Sequence, residues 1–196
     1  MGDSSDKRQQ LISSAFELFY TKGVHAVGIN EVLSHSGVAK KTLYHHFKSK
    51  HDLVLAVLQY RDQRFCDWFA AAFDGAEPGQ SRVLAMFDAL DDWFNDRVRT
   101  LAPFHGCFFI NVSGEFSEPD DPLHRQCAYH KARVAGLIQA QVQALELSEC
   151  DSAMLTRSLC LLKEGAITLA YVQGDRTAAV AARRTAEALI RSLSEG

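Results

Sequence analysis

The sequence lacks the long apolar stretches that membrane-spanning and secreted proteins need. No part of its 196 residues approaches the roughly 18 to 20 consecutive apolar residues that cross a bilayer. The first ten residues are polar, so we predict neither a signal peptide nor a membrane partner. The five cysteines at positions 66, 107, 127, 150 and 160 are odd in number and scattered. They disfavour a secreted disulfide scaffold and predict a reducing, cytoplasmic location.

Motifs of the common enzyme classes are also missing. There is no Gly-rich phosphate loop, no Gly-x-Ser-x-Gly and no His-Glu-x-x-His in the sequence. Burial of Glu115 or Glu164 in an apolar helix would raise the pKa of its carboxyl, but one perturbed carboxylate is not a reaction mechanism. We therefore predict that the chain is not an enzyme and uses no cofactor.

A metal site is not predicted either. His124, Cys127 and His130 are spaced three apart on one predicted helix, but the two histidines lie about 120° apart on the helical wheel. No paired Cys-x-x-Cys motif supports a zinc site.

Charge is unevenly distributed along the chain, whose formal net charge is −3. Residues 1–50 contain seven Lys and Arg against four Asp and Glu, whereas residues 51–196 contain fourteen against twenty. This asymmetry predicts that the cationic N-terminal part binds DNA and that the acidic remainder faces away from it.

Residues 28–50 predict two short helices joined by a tight turn at Gly37, which adopts a positive φ at little cost. In the second helix Leu43 and Phe47 lie four residues apart on one face, and polar side chains occupy most other positions. Such a helix packs on its own domain and offers its polar face to the DNA major groove. The predicted DNA contacts are Lys40, Lys41, Thr42, Tyr44, His45, His46, Lys48 and Lys50.

Residue types alone leave open a solvated helix of an ordinary α-helical protein, since exposed Lys and His are common. Order and spacing favour DNA binding. The pieces 15–19 (AFELF), 22–23 (KG), 36–38 (SGV) and above all 42–50 (TLYHHFKSK) resemble the N-terminal domain of the tetracycline-repressor (TetR) family of bacterial transcription regulators. The resemblance covers residues 8–58. Ala39 stands where the family often has a serine cap, at a cost of about 1 kcal/mol.

Helical periodicity extends along nearly the whole chain, and we predict an all-α fold. Helices are expected over about 6–22, from near Ser49, around 83–94, and over 108–116, 123–147, 151–172 and 177–193. Asp121 is a good cap and Pro122 fits the first helical position. We predict a helix-turn-helix DNA-binding domain at 1–50 and an effector-binding and dimerisation domain at 51–196.

The last two predicted helices favour a homodimer. Apolar residues almost encircle the first, which therefore needs cover on several sides, and the second is rich in alanine. An intrachain core would explain both patterns. The resemblance instead implies that these two helices pack against the same pair of a second subunit, which places two recognition helices on a (pseudo)palindromic site.

Aromatic residues concentrate between positions 65 and 116. Aromatic residues at helical spacing are commonly plain core, but ligand pockets are also mostly apolar with a few polar groups. The resemblance implies a small lipophilic or aromatic effector. The predicted ligand-binding residues are Phe65, Trp68, Phe69, Phe87, Trp93, Phe94, Phe104, Cys107, Phe108, Asn111, Glu115 and Tyr129.

Cys107 follows Gly106 directly after a proline-containing break. Some members of the resembled family carry a Gly-Cys pair here, and in electrophile-responsive members that cysteine is the sensor. A sensing thiol needs exposure and a low pKa, whereas a small buried cysteine is the commoner case. A thiol-based electrophile sensor is therefore an open sub-variant.

Together these features predict a DNA-binding transcriptional repressor that a small effector releases from a palindromic operator. Effector binding would move the helix that starts near Ser49, respace the two DNA-binding domains and lower operator affinity. The alternative is a small-molecule-binding protein or enzyme with a vestigial DNA-binding domain.

Overall fold

The computed structural model describes residues 2–194, with side chains described for residues 5–194. Within this part of the chain there are nine α-helices and no strand, which confirms the predicted all-α fold. The helices are α1 (Gly2–Lys22), α2 (Ile29–Ser36), α3 (Lys40–His46), α4 (Lys50–Asp74), α5 (Gln80–Phe94), α6 (Phe108–Glu115), α7 (Pro122–Gln143), α8 (Glu149–Val172) and α9 (Ala178–Ser194). None of these helices has the length and apolarity that a bilayer crossing requires.

The chain divides into two compact units. The first unit comprises the residues up to Gln63 together with Cys107–His130, and the second comprises Arg64–Gly106 together with the residues from Lys131 onward. The helix-turn-helix segment therefore shares its unit with α6 and the start of α7. The boundary between functional domains after residue 50 stays a prediction.

The first unit is built around α1, whose apolar residues recur at the three-and-four spacing of one buried face. α2 and α3 pack against this helix. From α6, the Phe108 ring meets the rings of Phe16 and Tyr20 edge-on, at centroid distances of 5.4 and 6.0 Å. α6 therefore belongs to the core that supports α1.

The second unit contains α5, α8 and α9, and α9 packs against both of the others. The buried residues of α9 are Ala178, Ala179, Ala182, Ala186 and Ile190. Just before α9, the Arg176 guanidinium donates to the Phe94 carbonyl and lies 5.5 Å over the Phe104 ring. These contacts hold the turn between α8 and α9 against the end of α5.

Local capping signals placed some helix ends correctly. α7 begins at Pro122, and Asp121 Oδ1 accepts the Leu123 N–H at 2.7 Å, which confirms the predicted cap. The prediction that this helix continues to residue 147 was wrong, because α7 ends at Gln143 and the chain turns with Glu146 at φ 54°. A positive φ is incompatible with continuation of a right-handed helix.

Candidate nucleic-acid interface

The turn between α2 and α3 has the geometry that Gly37 predicts. Gly37 lies in the left-handed region at φ 66°, and its N–H donates to the Leu33 carbonyl at 2.9 Å. Val38, which follows the turn, is buried. Gly37 thus ends α2 at little conformational cost and sets the direction in which α3 leaves.

α3 is anchored by its apolar side. Leu43 is fully buried and Phe47, at the end of the helix, is 3% exposed. Ala39 makes no side-chain cap, as its residue type requires. The helix therefore depends on packing against α1 rather than on capping, because a seven-residue helix is not stable by itself.

The opposite side of α3 presents polar side chains, most of which are exposed. Tyr44 is 46% exposed, Lys40, Lys41, His45 and Lys48 are also exposed, and Thr42 and His46 are half-buried. We call these seven residues the α3 polar face. Among the described residues, no hydrogen-bond or ion-pair partner is found for the four most prominent members, Lys40, Lys41, Tyr44 and Lys48.

His46 differs from the lysines in its charge. Burial lowers the pKa of its imidazole, and the nearby cationic groups of His45 and Arg8 lower it further. Its Nε2 is buried and has no hydrogen-bond partner among the described residues. His46 therefore loses its proton at a lower pH than an ordinary histidine and adds little charge to the α3 polar face.

Lys50 differs from the lysines of the α3 polar face because its ammonium is hydrogen-bonded within the protein. Its ammonium donates to the Val24 carbonyl at 2.6 Å and lies 6.0 Å from the centre of the Phe19 ring. Burial lowers the pKa of Lys50, although the charge of Glu115 acts to raise it. The start of α4 is thus tied to the loop between α1 and α2, and a DNA contact by Lys50 stays a prediction.

Sequence reasoning did not single out Arg8, which the fold places beside this surface. The Arg8 guanidinium lies 5.4 Å over the Phe47 ring and close enough to His46 to lower its pKa. The signal in the sequence was the basic pair Lys7-Arg8 at the start of α1. Only the packing of α1 on α3 shows that Arg8 extends the same cationic region.

The predicted effector residues are distributed over both units. In the second unit, the rings of Phe65, Trp68, Phe69, Trp93, Phe94 and Phe104 form one continuous cluster, with neighbouring centroids 4.8–6.0 Å apart. Phe87 is fully buried. Beside this cluster an open groove of about 490 Å³ is lined by Arg64, Asp67, Trp68, Ala71 and Thr100.

The other five predicted effector residues lie in the first unit. Phe108 packs on α1, Tyr129 is 58% exposed and Asn111 is half-buried. The Glu115 carboxylate accepts the backbone N–H groups of Val24 and His25, at 2.8 and 2.5 Å. Glu115 thus holds the α1–α2 loop, and its part in effector binding stays a prediction, as do those of its neighbours.

Cys107 immediately precedes α6 and is 8% exposed. This burial is the feature of a packing cysteine rather than of a reactive one. The electrophile-sensor sub-variant stays a prediction.

The two histidines spaced along α7 have different partners. The His124 Nδ1–H donates to the Phe116 carbonyl at 2.8 Å, whereas the buried His130 donates from Nδ1 to Asp62 at 2.7 Å. The His130 ring stacks on Phe109, with centroids 3.5 Å apart. The two imidazoles therefore serve separate structural contacts.

Comparison with known proteins identifies similar chains. Residues 11–57 match the domain described as bacterial regulatory proteins, tetR family, and residues 79–186 match the tetracyclin repressor-like C-terminal domain. The HTH-type transcriptional activator FasR of Mycolicibacterium smegmatis is 35% identical over 88 residues, which are 45% of this chain and 40% of that protein. The HTH-type transcriptional regulator LmrA of Bacillus subtilis is 24% identical over 180 residues, 88% of this chain and 90% of that protein.

The fold is shared with solved structures. The crystal structure of a TetR-family transcriptional regulator from Streptomyces coelicolor matches with a TM-score of 0.81 and 28% identity, and the match covers 97% of each chain. The present chain, which is all-α and contains this helix-turn-helix, is therefore a DNA-binding transcriptional regulator. The chain belongs to the TetR family, whose members bind DNA and act as dimers.

Proposed function

We propose that this regulator is a repressor that binds a (pseudo)palindromic operator as a homodimer and is released by a small lipophilic or aromatic effector. It acts in the cytoplasm, without enzymatic activity. The α3 polar face contacts the operator: the lysines neutralise phosphates, while Thr42 and Tyr44 bond phosphate oxygens and set the register.

A single observation carries the DNA-contact part of the proposal. Lys40, Lys41, Tyr44 and Lys48 are exposed and have no protein partner among the residues described, while Leu43 and Phe47 of the same segment are buried. An exposed tyrosine beside three unpaired cations is poorly explained by stability alone. Contacts with the phosphate groups of DNA give all four side chains a hydrogen-bond or ion-pair partner.

The test is operator binding by a Tyr44→Ala variant, measured by fluorescence anisotropy with duplex DNA from the chain's own promoter region. We expect affinity to fall by roughly a hundredfold to ten-thousandfold, since a hydrogen bond to a charged group contributes about 1.5–3 kcal/mol and a dimer loses two. Tyr129→Ala is the matched control, because Tyr129 is also an exposed tyrosine of the first unit.

Salt dependence separates this function from that of a small-molecule binder with a vestigial DNA-binding domain. A regulator that neutralises Z phosphates loses affinity with a slope of about −0.9Z in log K against log salt. A flat salt dependence, or equal operator affinities of Tyr44→Ala and the parent protein, would refute the contact assignment.

The exposed apolar residues of α8 and α9 support a dimer through these two helices. Leu161 is 66% exposed, Leu169 is 40% exposed and Val180 is 39% exposed. An apolar groove of about 350 Å³ runs between the helices, lined by Leu161, Leu162, Gly165, Ala166, Leu169, Ala178, Ala181, Ala182 and Thr185. Exposed apolar patches of this kind mark protein–protein contacts.

Sedimentation of a Leu161→Glu variant tests the dimer face. A buried, unpaired carboxylate is costly at an interface, so the variant is expected to sediment as a monomer at concentrations where the parent is dimeric. Ile110→Glu is the control, because Ile110 is another exposed apolar residue (43%) but lies on α6. A dimeric Leu161→Glu protein would place the interface elsewhere.

The attachment of α4 supports the proposed route of release. The Lys50 ammonium at the start of α4 bonds the Val24 carbonyl, and Ser49 Oγ accepts the Asp52 N–H at 3.1 Å. A shift of α4 on effector binding therefore carries the helix-turn-helix with it and changes the spacing of the two recognition helices. Only one spacing matches both half-sites of an operator.

Release is measured by adding lipophilic compounds to the protein–operator complex and following anisotropy. Reporter transcription from the same promoter gives the sign of regulation, since the relative FasR is named as an activator. We expect deletion of the gene to raise reporter transcription, as for a repressor. A fall in transcription would instead identify the protein as an activator.

A further inference from the structure

Arg8 is an exposed cation of α1 that lies beside the recognition helix. Its guanidinium lies 5.4 Å over the ring of Phe47, the residue at the end of α3. No hydrogen bond or ion pair of Arg8 is found among the residues whose side chains are described. Arg125, another exposed arginine of the first unit, is instead ion-paired to Asp120 at 2.6 Å.

The contact with Phe47 fixes the place of this unpaired charge. Phe47 is only 3% exposed, so its ring is held in the core while one face meets the guanidinium. The charge of Arg8 reaches α3: burial and His45 lower the pKa of the His46 imidazole, and Arg8 lowers it further. A guanidinium that is already held in position loses less freedom when it binds a ligand.

A second unpaired cation lies at the same end of α3. Lys48 follows Phe47 directly in the chain, is exposed, and has no ion-pair partner within the described part of the protein. Packing of α1 on α3 explains an apolar residue over the Phe47 ring, but it does not explain two cations without a carboxylate. Uncompensated positive charges on one side of a protein attract a polyanion.

We propose that Arg8 binds a phosphate group of the operator backbone beside the end of α3. Arg8 belongs to α1 and not to the helix that enters the major groove, so it meets the backbone that borders the groove rather than base edges. A planar guanidinium bonds two phosphate oxygens through parallel N–H groups. This inference rests on the proposed operator contact of the α3 polar face and adds to it a residue from another helix.

The test is the salt dependence of DNA binding by a full-length Arg8→Met variant, followed by fluorescence anisotropy with the promoter-region duplex. Methionine keeps an apolar side chain over Phe47 and removes the charge. Each neutralised phosphate contributes about 0.9 to the slope of log K against log salt, so a dimer that loses two contacts should have a slope shallower by about 1.8. If the affinities converge at about 1 M salt, the variant binds about sixtyfold more weakly at about 0.1 M.

The loss should be similar on the operator and on an unrelated duplex of equal length, because a phosphate contact carries no sequence information. Arg125→Met is the matched control, since it removes the same charge from another exposed arginine of the first unit. We expect it to keep the parent slope, as should Arg8→Lys, which retains the charge. Thermal unfolding verifies that each variant is folded.

The phosphate itself is located with duplexes in which single linkages are replaced by neutral methylphosphonates. At one linkage in each half-site, the parent protein should lose affinity on this replacement. Arg8→Met should lose none there, because its contact with that phosphate is already missing.

A purely structural role of Arg8 on the Phe47 ring predicts a different result, in which Arg8→Met binds more weakly by the same factor at every salt concentration. That result would overturn the inference. So would parent-like binding by Arg8→Met, or an equal change of slope in Arg125→Met.

The proposed function is tested separately by the parent protein and by Tyr44→Ala. If the parent binds the operator with a steep salt dependence and Arg8→Met keeps its slope, only the present inference fails. If Arg8→Met has the shallower slope but Tyr44→Ala binds like the parent, only the assignment of Tyr44 fails. A parent protein that binds no DNA would refute both.

Discussion

Replacement of Glu115 by Gln probes the bond that holds the α1–α2 loop to α6. The carboxylate accepts two backbone N–H groups, from Val24 and His25, through different oxygens, and its side chain is 22% exposed. Glutamine has one acceptor oxygen, and its NH₂ group would face the second N–H. In the Glu115→Gln variant, one of the two hydrogen bonds therefore changes from a charge-assisted to a neutral bond, and the other is lost.

The size of the effect follows from these two bonds. A hydrogen bond to a charged group contributes about 1.5–3 kcal/mol and a neutral one about 0.5–1.5 kcal/mol. Partial exposure lets water replace part of the loss, so we expect loop opening to become easier by about 1–3 kcal/mol. This corresponds to about fivefold to 150-fold faster hydrogen exchange at the amides of Val24 and His25.

Amide exchange is the suitable assay because it reads the two donors directly. Glu118→Gln is the control, since Glu118 is exposed and lies three residues further along the chain. It should leave exchange at both amides unchanged. The reasoning fails if Val24 and His25 exchange at the same rate in Glu115→Gln and in the parent protein.

Two further predictions concern the second unit and acid stability. Gly106→Ala should reduce the free energy of unfolding of the second unit by about 1–3 kcal/mol. The reason is that Gly106 has φ 77° and that an added Cβ would lie 2.7 Å from Tyr171 Cγ. Urea unfolding followed by tryptophan fluorescence measures this loss, and an unchanged unfolding midpoint would contradict the prediction. The Leu123 N–H and, to a lesser degree, His51 hold the pKa of the Asp121 carboxyl below its ordinary 3.8, despite the opposing effect of burial. A depressed folded pKa stabilises the protein above the unfolded value and loses this contribution as pH falls through the folded value. The difference in Tm between the parent and Asp121→Asn should therefore shrink on acidification below about pH 3.8, and a constant difference would exclude this origin.

The DNA-binding surface was largely predictable because its signals are local. A glycine ends α2, and two apolar residues four apart define the buried side of α3, so their neighbours must point elsewhere. Lys50 shows the limit of this reasoning. Its residue type suits a phosphate contact, but the loop carbonyl of Val24, 26 residues away in the chain, takes up its ammonium.

The effector region was less predictable. Aromatic residues at helical spacing identify buried faces, but they do not tell which faces meet, and the predicted set falls into two different units. Glu115 was predicted as a polar group of an effector pocket, and it accepts backbone N–H groups from residues 90 and 91 positions away in the chain. Composition carries no information on such a pairing.

The sequence alone determined the helical class, the helix-turn-helix and the family, because hydrophobic period, capping residues and a short cationic motif act over a few residues of chain. Tertiary structure decided where charges are paired. Glu164 illustrates the difference: its apolar helix predicts a raised pKa, but the adjacent Lys163 lowers the pKa, and Lys131 on α7, 33 residues earlier in the chain, lowers it further. Coulomb interactions depend on distance in space, and only the packing of α7 on α8 sets that distance.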